Sequence, residues 1–152
     1  QADLRRSRAA MQNIVPQTTW TDEAVEELFP HLKGKFKGIK LNVPVAEVSC
    51  SDLTVQMKRP VKASEVNEVF RSASQTILKG VLDFTDQPIV SSDMNGNPAS
   101  CLFDSLATLV TDDVLLKVIG WYEQGGGISN RIVDLISQVG PQSTTSGDRR
   151  TS

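Results

Sequence analysis

Asp52-Leu53-Thr54-Val55-Gln56-Met57-Lys58 alternates polar and apolar residues, and shortly after it Ser64-Glu65-Val66-Asn67-Glu68-Val69-Phe70-Arg71-Ser72-Ala73 spaces its apolar residues by three and four. The first pattern turns one face of a strand inward, and the second gives a helix whose inner stripe is Val66, Val69, Phe70 and Ala73. Periods of 2 and 3.6 that alternate along one chain predict strands and helices mixed in a layered domain. The class is α+β.

Working upstream, Ile39, Leu41 and Val43 alternate with Lys40 and Asn42, a second half-buried strand. Thr21 followed by Asp22 and Glu23 starts a short helix with acids in its positive first turn, carrying Val25, Leu28 and Phe29 and ended by Pro30. Ser64 is placed to cap the helix that runs on to about Ile77. Downstream, short strands are expected at Val81 to Phe84, Ile89 to Ser92, Cys101 to Phe103 and Ala107 to Val110, with Asn95-Gly96-Asn97-Pro98 as a turn. Val114 to Trp121 is nearly continuous in apolar residues, which predicts a strand in the middle of the sheet buried on both faces. A last helix is expected after Gly125, Gly126 and Gly127, burying Ile128, Ile132, Leu135, Ile136 and Val139.

The ends differ from this pattern. Gln1 to Arg8 has neither period and reads as a loop or arm, extending to about residue 12, while Pro141 to Ser152 has no aliphatic or aromatic residue and reads as a disordered tail. The 152 residues suit one domain, here residues 1–140. Lys+Arg 16 against Asp+Glu 18 gives a formal charge of -2, so the basic surplus of a nucleic-acid binder is absent. No apolar run is long enough to cross a bilayer, and the chain reads as soluble and cytoplasmic, without a membrane partner. Cys50 and Cys101 are far apart, with no metal-ligand spacing around either, so reduced structural thiols and no metal are expected.

Candidates for chemistry are few. The single histidine, His31, ends the first helix between Pro30 and Leu32 and has no partner in sequence, which favours a role without catalysis. Both cysteines fall on expected strands, where a small thiol packs well and nothing cationic lies beside it to activate it. Gln124 to Gly127 is a glycine-rich entry into a helix that could present backbone N–H groups to an anion, yet it lacks the form of a dinucleotide fingerprint. Lys33, Lys35, Lys37 and Lys40 read as a solvated turn edge. Arg5, Arg6 and Arg8 suit bidentate contact with a phosphate or carboxylate, or equally an interface salt bridge.

Strings distributed along the chain point further. Asp3-Leu4-Arg5-Arg6-Ser7-Arg8-Ala9-Ala10, Asn13-Ile14-Val15-Pro16, Val43-Pro44-Val45-Ala46-Glu47-Val48-Ser49, Lys79-Gly80-Val81-Leu82, Val90-Ser91-Ser92-Asp93-Met94-Asn95, Trp121-Tyr122 and Ser129-Asn130-Arg131-Ile132-Val133-Asp134-Leu135 occur in that order. Together they resemble the catalytic domain of the phosphorylating glyceraldehyde-3-phosphate dehydrogenases over about residues 3 to 140. Lys58 to Asn67 also resembles the erythrose-4-phosphate dehydrogenase branch, which leaves the branch open.

The resemblance implies a mixed, largely antiparallel sheet with helices packed on one face and the other face against a neighbouring subunit of a homotetramer. It implies NAD as cofactor, an aldehyde sugar phosphate as substrate, and chemistry by thiolate attack, hydride transfer and phosphorolysis of a thioester. In the family, the NAD-binding Rossmann domain, the nucleophilic cysteine and the base histidine precede the stretch that this chain resembles. Neither Cys50, Cys101 nor His31 aligns with them, so no catalytic residue is assigned. Arg6 and Thr19 match the phosphate-binding arginine and threonine. Trp20 stands where the family has a glycine, Asn42 where it has a second phosphate arginine, Gln124 where it has the asparagine that orients the nicotinamide, and Gly125 and Ile128 where it has an acid and a tyrosine. These departures lead to the expectation of a partial or degenerate family member, inactive by itself, that works with an NAD-binding part or assembles as a homo-oligomer. The alternative is a non-catalytic assembly or interaction module on the same scaffold.

Overall fold

The computed structural model describes residues 3–140. The disordered tail expected over 141–152 lies outside them. The chain divides into two compact units, Gln1–Ala46 and Glu47–Ser152.

In the first unit the chain from Asp3 runs through a series of turns to a short 3-10 helix at Ala10–Gln12. Strand β1 (Val15–Gln17) was not legible as a strand, being short and containing Pro16. Helix α1 spans Thr21–Leu28, where Asp22 and Glu23 occupy the first turn and Pro30 begins a separate 3-10 turn. Strand β2 (Lys40–Asn42) pairs antiparallel with β1, setting Asn42 opposite Val15, and Val15 is the buried apolar residue of this unit.

The second unit carries the main sheet. Strand β3 (Ser49–Gln56), helix α2 (Ala63–Gln75), strands β4 (Leu82–Thr85), β5 (Cys101–Thr111) and β6 (Leu115–Tyr122), and helix α3 (Gln124–Val139) follow in order. The sheet order is β3-β6-β5-β4, antiparallel except for the parallel pair β4–β5. The α+β class and the mixed, largely antiparallel sheet are as the sequence implied. Leu53 pairs with Val118 and Val55 with Leu116 across β3 and β6, while α2 packs against β4 and β5. Val61, Val66, Leu82, Phe103, Leu116 and Val118 form the core, and the rings of Phe70 and Phe103 stack with centroids 3.9 Å apart. Burial of these side chains is the main stabilising term, about 1.5–3 kcal/mol for each large one.

Several expectations need correction. Helix α2 begins at Ala63, so Ser64 is inside its first turn rather than the cap; Glu65 instead reaches back to accept the Lys62 N–H at 3.3 Å. Ile89 to Ser92 is no strand, because Asp93 accepts the Val90 N–H at 2.8 Å and folds Ser91–Met94 into a 3-10 turn. The two strands expected at Cys101 to Phe103 and Ala107 to Val110 are one strand, β5, interrupted by a bulge between Asp104 and Leu109. Strand β6 is interior as expected, but only its α2 face is closed: Leu116 and Val118 are buried, whereas Leu115 is exposed.

Helix α3 is the largest departure. It includes the three glycines instead of following them, and Gly127 lies so close to residues 99–100 that an added Cβ would be 3.3 Å from the Ala99 carbonyl oxygen. Arg131 also ties it to the Gly80 carbonyl at 2.7 Å. Yet Ile128, Ile132, Leu135, Ile136 and Val139, expected inside, are 53% to 75% exposed. Their stripe has the right period, but the described residues place no apolar surface over it.

Candidate functional site

The residues singled out from the sequence fall at two places, one in each unit. In the first unit, Thr19 and Trp20 form the turn that leads into α1. The Thr19 hydroxyl lies 2.6 Å from that of Thr21 and accepts the Thr21 N–H at 3.2 Å, so a first-turn donor of α1 is satisfied from within the chain. Trp20 follows with an indole that is 76% exposed, displayed beside the threonine instead of packed away. Asp22, one residue into the helix, spends its carboxylate across a gap of 16 positions. Its Oδ1 accepts the Gly38 N–H at 2.8 Å and its Oδ2 accepts from Lys37 Nζ at 3.1 Å. The hydrogen bond from Lys37 holds the Asp22 carboxyl below its ordinary range, and the same bond raises Lys37.

Gly38 closes this corner. A Cβ there would be 3.3 Å from Asp22 Oδ1 and 3.4 Å from the Thr19 methyl, so the backbone of Gly38, the carboxylate and the threonine converge. Asn42 lies four residues further on, half-buried in β2. Arg6 sits in an exposed turn in which Asp3 Oδ1 accepts the N–H groups of Arg5 at 2.9 Å and Arg6 at 3.4 Å. Arg5 and Arg8, rather than Arg6, line an open depression of about 360 Å³ with Leu4, Asn13 and Ile14.

In the second unit, Gln124 and Ile128 line one open groove of about 600 Å³ at the start of α3, together with Tyr122, Glu123 and Arg131. The structure thus brings these two together, as it does Thr19 and Trp20. Glu123 accepts the Gly96 N–H at 3.1 Å and so pins the turn at Asn95 to Asn97 against the entry of the helix. Gln124 itself is exposed.

The remaining candidates have quieter roles. His31 is exposed and meets the Phe29 ring edge-on, with centroids 6.2 Å apart, and its carbonyl accepts from Lys35 Nζ at 3.2 Å. Cys101 sits on β5 against β6, where a Cβ on Gly120 would come 2.7 Å from its Sγ, and burial pushes its thiol up. Burial also raises Cys50, with the Asp52 carboxylate adding to the shift. Neither environment produces a thiolate at neutral pH. Among the described residues no group of three or more His, Cys, Asp or Glu is placed to hold a metal, and no helix is long and apolar enough to cross a membrane.

A dinucleotide cradle requires a glycine turn between a parallel strand and a helix. The parallel pair β4–β5 is joined through a 3-10 turn, and Gly125–Gly127 follow the antiparallel strand β6. The described residues therefore do not fit NAD as a cradle of their own; Gln124 offers one amide and no more.

The model of the glyceraldehyde 3-phosphate dehydrogenase C-terminal domain matches residues 1–124. The chain belongs to that family. It is 49% identical over 137 residues to glyceraldehyde-3-phosphate dehydrogenase 2 of Bacillus subtilis, covering 90% of this chain and 40% of that protein. Against glyceraldehyde-3-phosphate dehydrogenase 2 of Streptomyces avermitilis it is 48% identical over 140 residues, 92% of this chain and 42% of the relative. Against the enzyme of Geobacillus stearothermophilus it is 41% identical over 137 residues, 90% and 41%. The chain thus spans about two fifths of the length of these curated relatives.

The resemblance singled out Thr19, Trp20, Asn42 and Gln124, while the sequence showed Asp22 only as an acid of a helix first turn and Lys37 only as a solvated lysine. Their joint role depends on a contact between residues 15 positions apart, for which no local pattern exists.

Proposed function

We propose that these residues form the substrate side of an NAD-dependent dehydrogenase acting on an aldehyde sugar phosphate, with its phosphate contacts reduced, and that this polypeptide does not turn over by itself. One observation carries the reading: the Thr19–Trp20 corner spends its donors internally. The threonine hydroxyl serves Thr21, Gly38 N–H and Lys37 serve Asp22, and the indole of the adjoining Trp20 is exposed. Arg6 and Thr19 are the phosphate contacts retained, while Trp20 and Asn42 are those lost. Exchanging an arginine for the neutral amide of Asn42 removes a charge-assisted contact of about 1.5–3 kcal/mol, tenfold or more in affinity. Gln124, with Ile128 beside it, supplies the one contact toward the nicotinamide, and the nucleophile, the base and the dinucleotide cradle belong to residues outside this sequence. The reading places the protein in the cytoplasm, in carbohydrate metabolism, with an NAD-binding part or further copies of itself as partner.

The test is an assay of the purified chain with NAD, inorganic phosphate and either glyceraldehyde-3-phosphate or erythrose-4-phosphate, following NADH absorbance. No NADH is expected with either aldehyde; turnover by the chain alone overturns the reading of inactivity, and the aldehyde used identifies the branch.

The exposed apolar stripe of α3 favours a second reading, a non-catalytic assembly module. Sedimentation of the chain separates the two: a stable homo-oligomer that neither binds phosphate nor gains turnover from an NAD-binding part supports the module.

A further inference from the structure

We propose that Asp22 is a built-in anion: its carboxylate occupies the donors beside Thr19 that a tetrahedral phosphate would use, and so keeps this corner closed. The inference deepens the reading of Thr19 as an anion contact and rests on it, but its test is direct binding and requires no turnover.

The geometry is that of a filled anion site. One carboxylate oxygen accepts a backbone N–H, from Gly38 at 2.8 Å, and the other accepts from an ammonium, Lys37 Nζ at 3.1 Å. A backbone amide next to a lysine is the donor set with which proteins hold phosphate. The contact is not a by-product of helix capping, because its donors come from the segment that precedes β2, 15 and 16 positions away. Glycine at position 38 keeps the approach tight, since an added side chain would press on both the Asp22 carboxylate and the Thr19 methyl. Lys37 Nζ keeps Asp22 ionised, so a second anion arriving at the same donors meets a negative charge already bonded to them. Glu23 and Glu26 also raise Lys37, which keeps its ammonium protonated. The other hydrogen-bonding group of the corner, the Thr19 hydroxyl, is engaged with Thr21. Removing the carboxylate frees an ammonium and an amide side by side, with Thr19 next to them.

The experiment compares the full chain with Asp22→Ala and Asp22→Asn, following the backbone amide resonances of Thr19, Lys37 and Gly38 at constant ionic strength and pH 7. Inorganic phosphate and glycerol 3-phosphate are titrated separately. The expected result is a saturable shift at Gly38 and Lys37 in Asp22→Ala, with an affinity at least tenfold above that of the unsubstituted chain. Adding Lys37→Met to Asp22→Ala abolishes it. A shift with inorganic phosphate alone identifies the free ion as the ligand; a shift with both identifies the phosphate group of a monoester; either supports the proposal. Equal affinity in the unsubstituted chain and Asp22→Ala overturns it, as does a folded variant without a saturable shift or a gain that survives Lys37→Met. If Asp22→Ala does not fold, Asp22→Asn, which keeps the shape and drops the charge, is judged by the same criteria.

Discussion

The Trp121 indole donates its N–H to Asp104 Oδ2 at 3.1 Å, while the other oxygen of that carboxylate accepts the backbone N–H groups of Leu106 at 3.1 Å and Ala107 at 3.3 Å. One buried acid therefore holds the β5 bulge open and fastens it to β6. Removing the acceptor leaves these part-buried donors unpaired, and an unpaired donor costs up to about 1–3 kcal/mol when buried. Asp104→Ala is accordingly expected to lower unfolding stability by about 2–4 kcal/mol in urea. Trp121→Phe, which removes one donor and leaves the bulge bonds, should cost less. Equal losses for the two would show that the acid does not organise the bulge.

The hairpin between β5 and β6 turns through Asp112 and Asp113, both with positive φ, at 50° and 59°. Left-handed backbone costs an ordinary residue about 1–2 kcal/mol, and glycine adopts it freely. Asp113→Gly is therefore expected to raise the urea midpoint, by about 0.5–1 kcal/mol in stability once the extra freedom of the unfolded glycine is subtracted. The Val61 N–H bond to the Asp113 carbonyl, 2.8 Å, involves the backbone and survives the change.

Cys101 and Gly120 face each other across the same two strands, with 2.7 Å between the sulfur and the place of a Cβ on the glycine. Gly120→Ala should thus destabilise by about 1–3 kcal/mol through overpacking. Introducing Cys101→Ala alongside it is expected to recover most of that loss, a coupling that a double-mutant cycle reads directly. Additive losses would refute the assignment of Cys101 as a packing residue.

How much of this was legible in the sequence depends on where each signal originates. Strand β6 carries its interior place in the sheet in its own composition, though only one of its faces is closed, and the spacing of α2 points Val66, Phe70 and Ala73 to the core but also Val69, which is 67% exposed. The bulge in β5 was hidden because it depends on one side chain, Asp104, satisfying backbone groups that would otherwise end the strand. The stripe on α3 was legible as a stripe but not as an exposed one, since periodicity reports which face is apolar and nothing about what covers it. At the candidate site, the resemblance singled out Thr19, Trp20 and Asn42. It said nothing of Asp22, whose role comes from a contact 16 residues away.

Asp22 also makes a prediction about pH. Its carboxyl is lowered in the folded chain relative to its ordinary value, chiefly by the hydrogen bond from Lys37. The native state then binds its proton less readily than the unfolded chain, so the pair stabilises the fold above the ordinary carboxylate pKa of about 3.9 and loses that contribution as pH falls through the lower folded value. Carbon-detected titration of Asp22 should show a midpoint below about 3.9 that returns toward it in Lys37→Met. A midpoint at or above that value in the unsubstituted chain would mean that the ion pair does not persist in solution.

The proposal that Trp20 and Asn42 weaken phosphate contacts is tested by substituting them back. Trp20→Gly removes the indole from the Thr19 turn, and Asn42→Arg returns a guanidinium to the half-buried position opposite Val15 in β2. A charge-assisted bond contributes about 1.5–3 kcal/mol, so the double substitution is expected to tighten phosphate binding by roughly ten- to a hundredfold, measured by calorimetry. Arg6→Ala in that background should cancel much of the gain, because two cations sharing one anion contribute more than either does with water as competitor. Asp22→Ala added to the double substitution should increase it again, since a freed Lys37 joins the restored arginine. If Trp20→Gly with Asn42→Arg folds and binds phosphate no better than the original chain, the proposal that these two residues weaken phosphate binding is overturned.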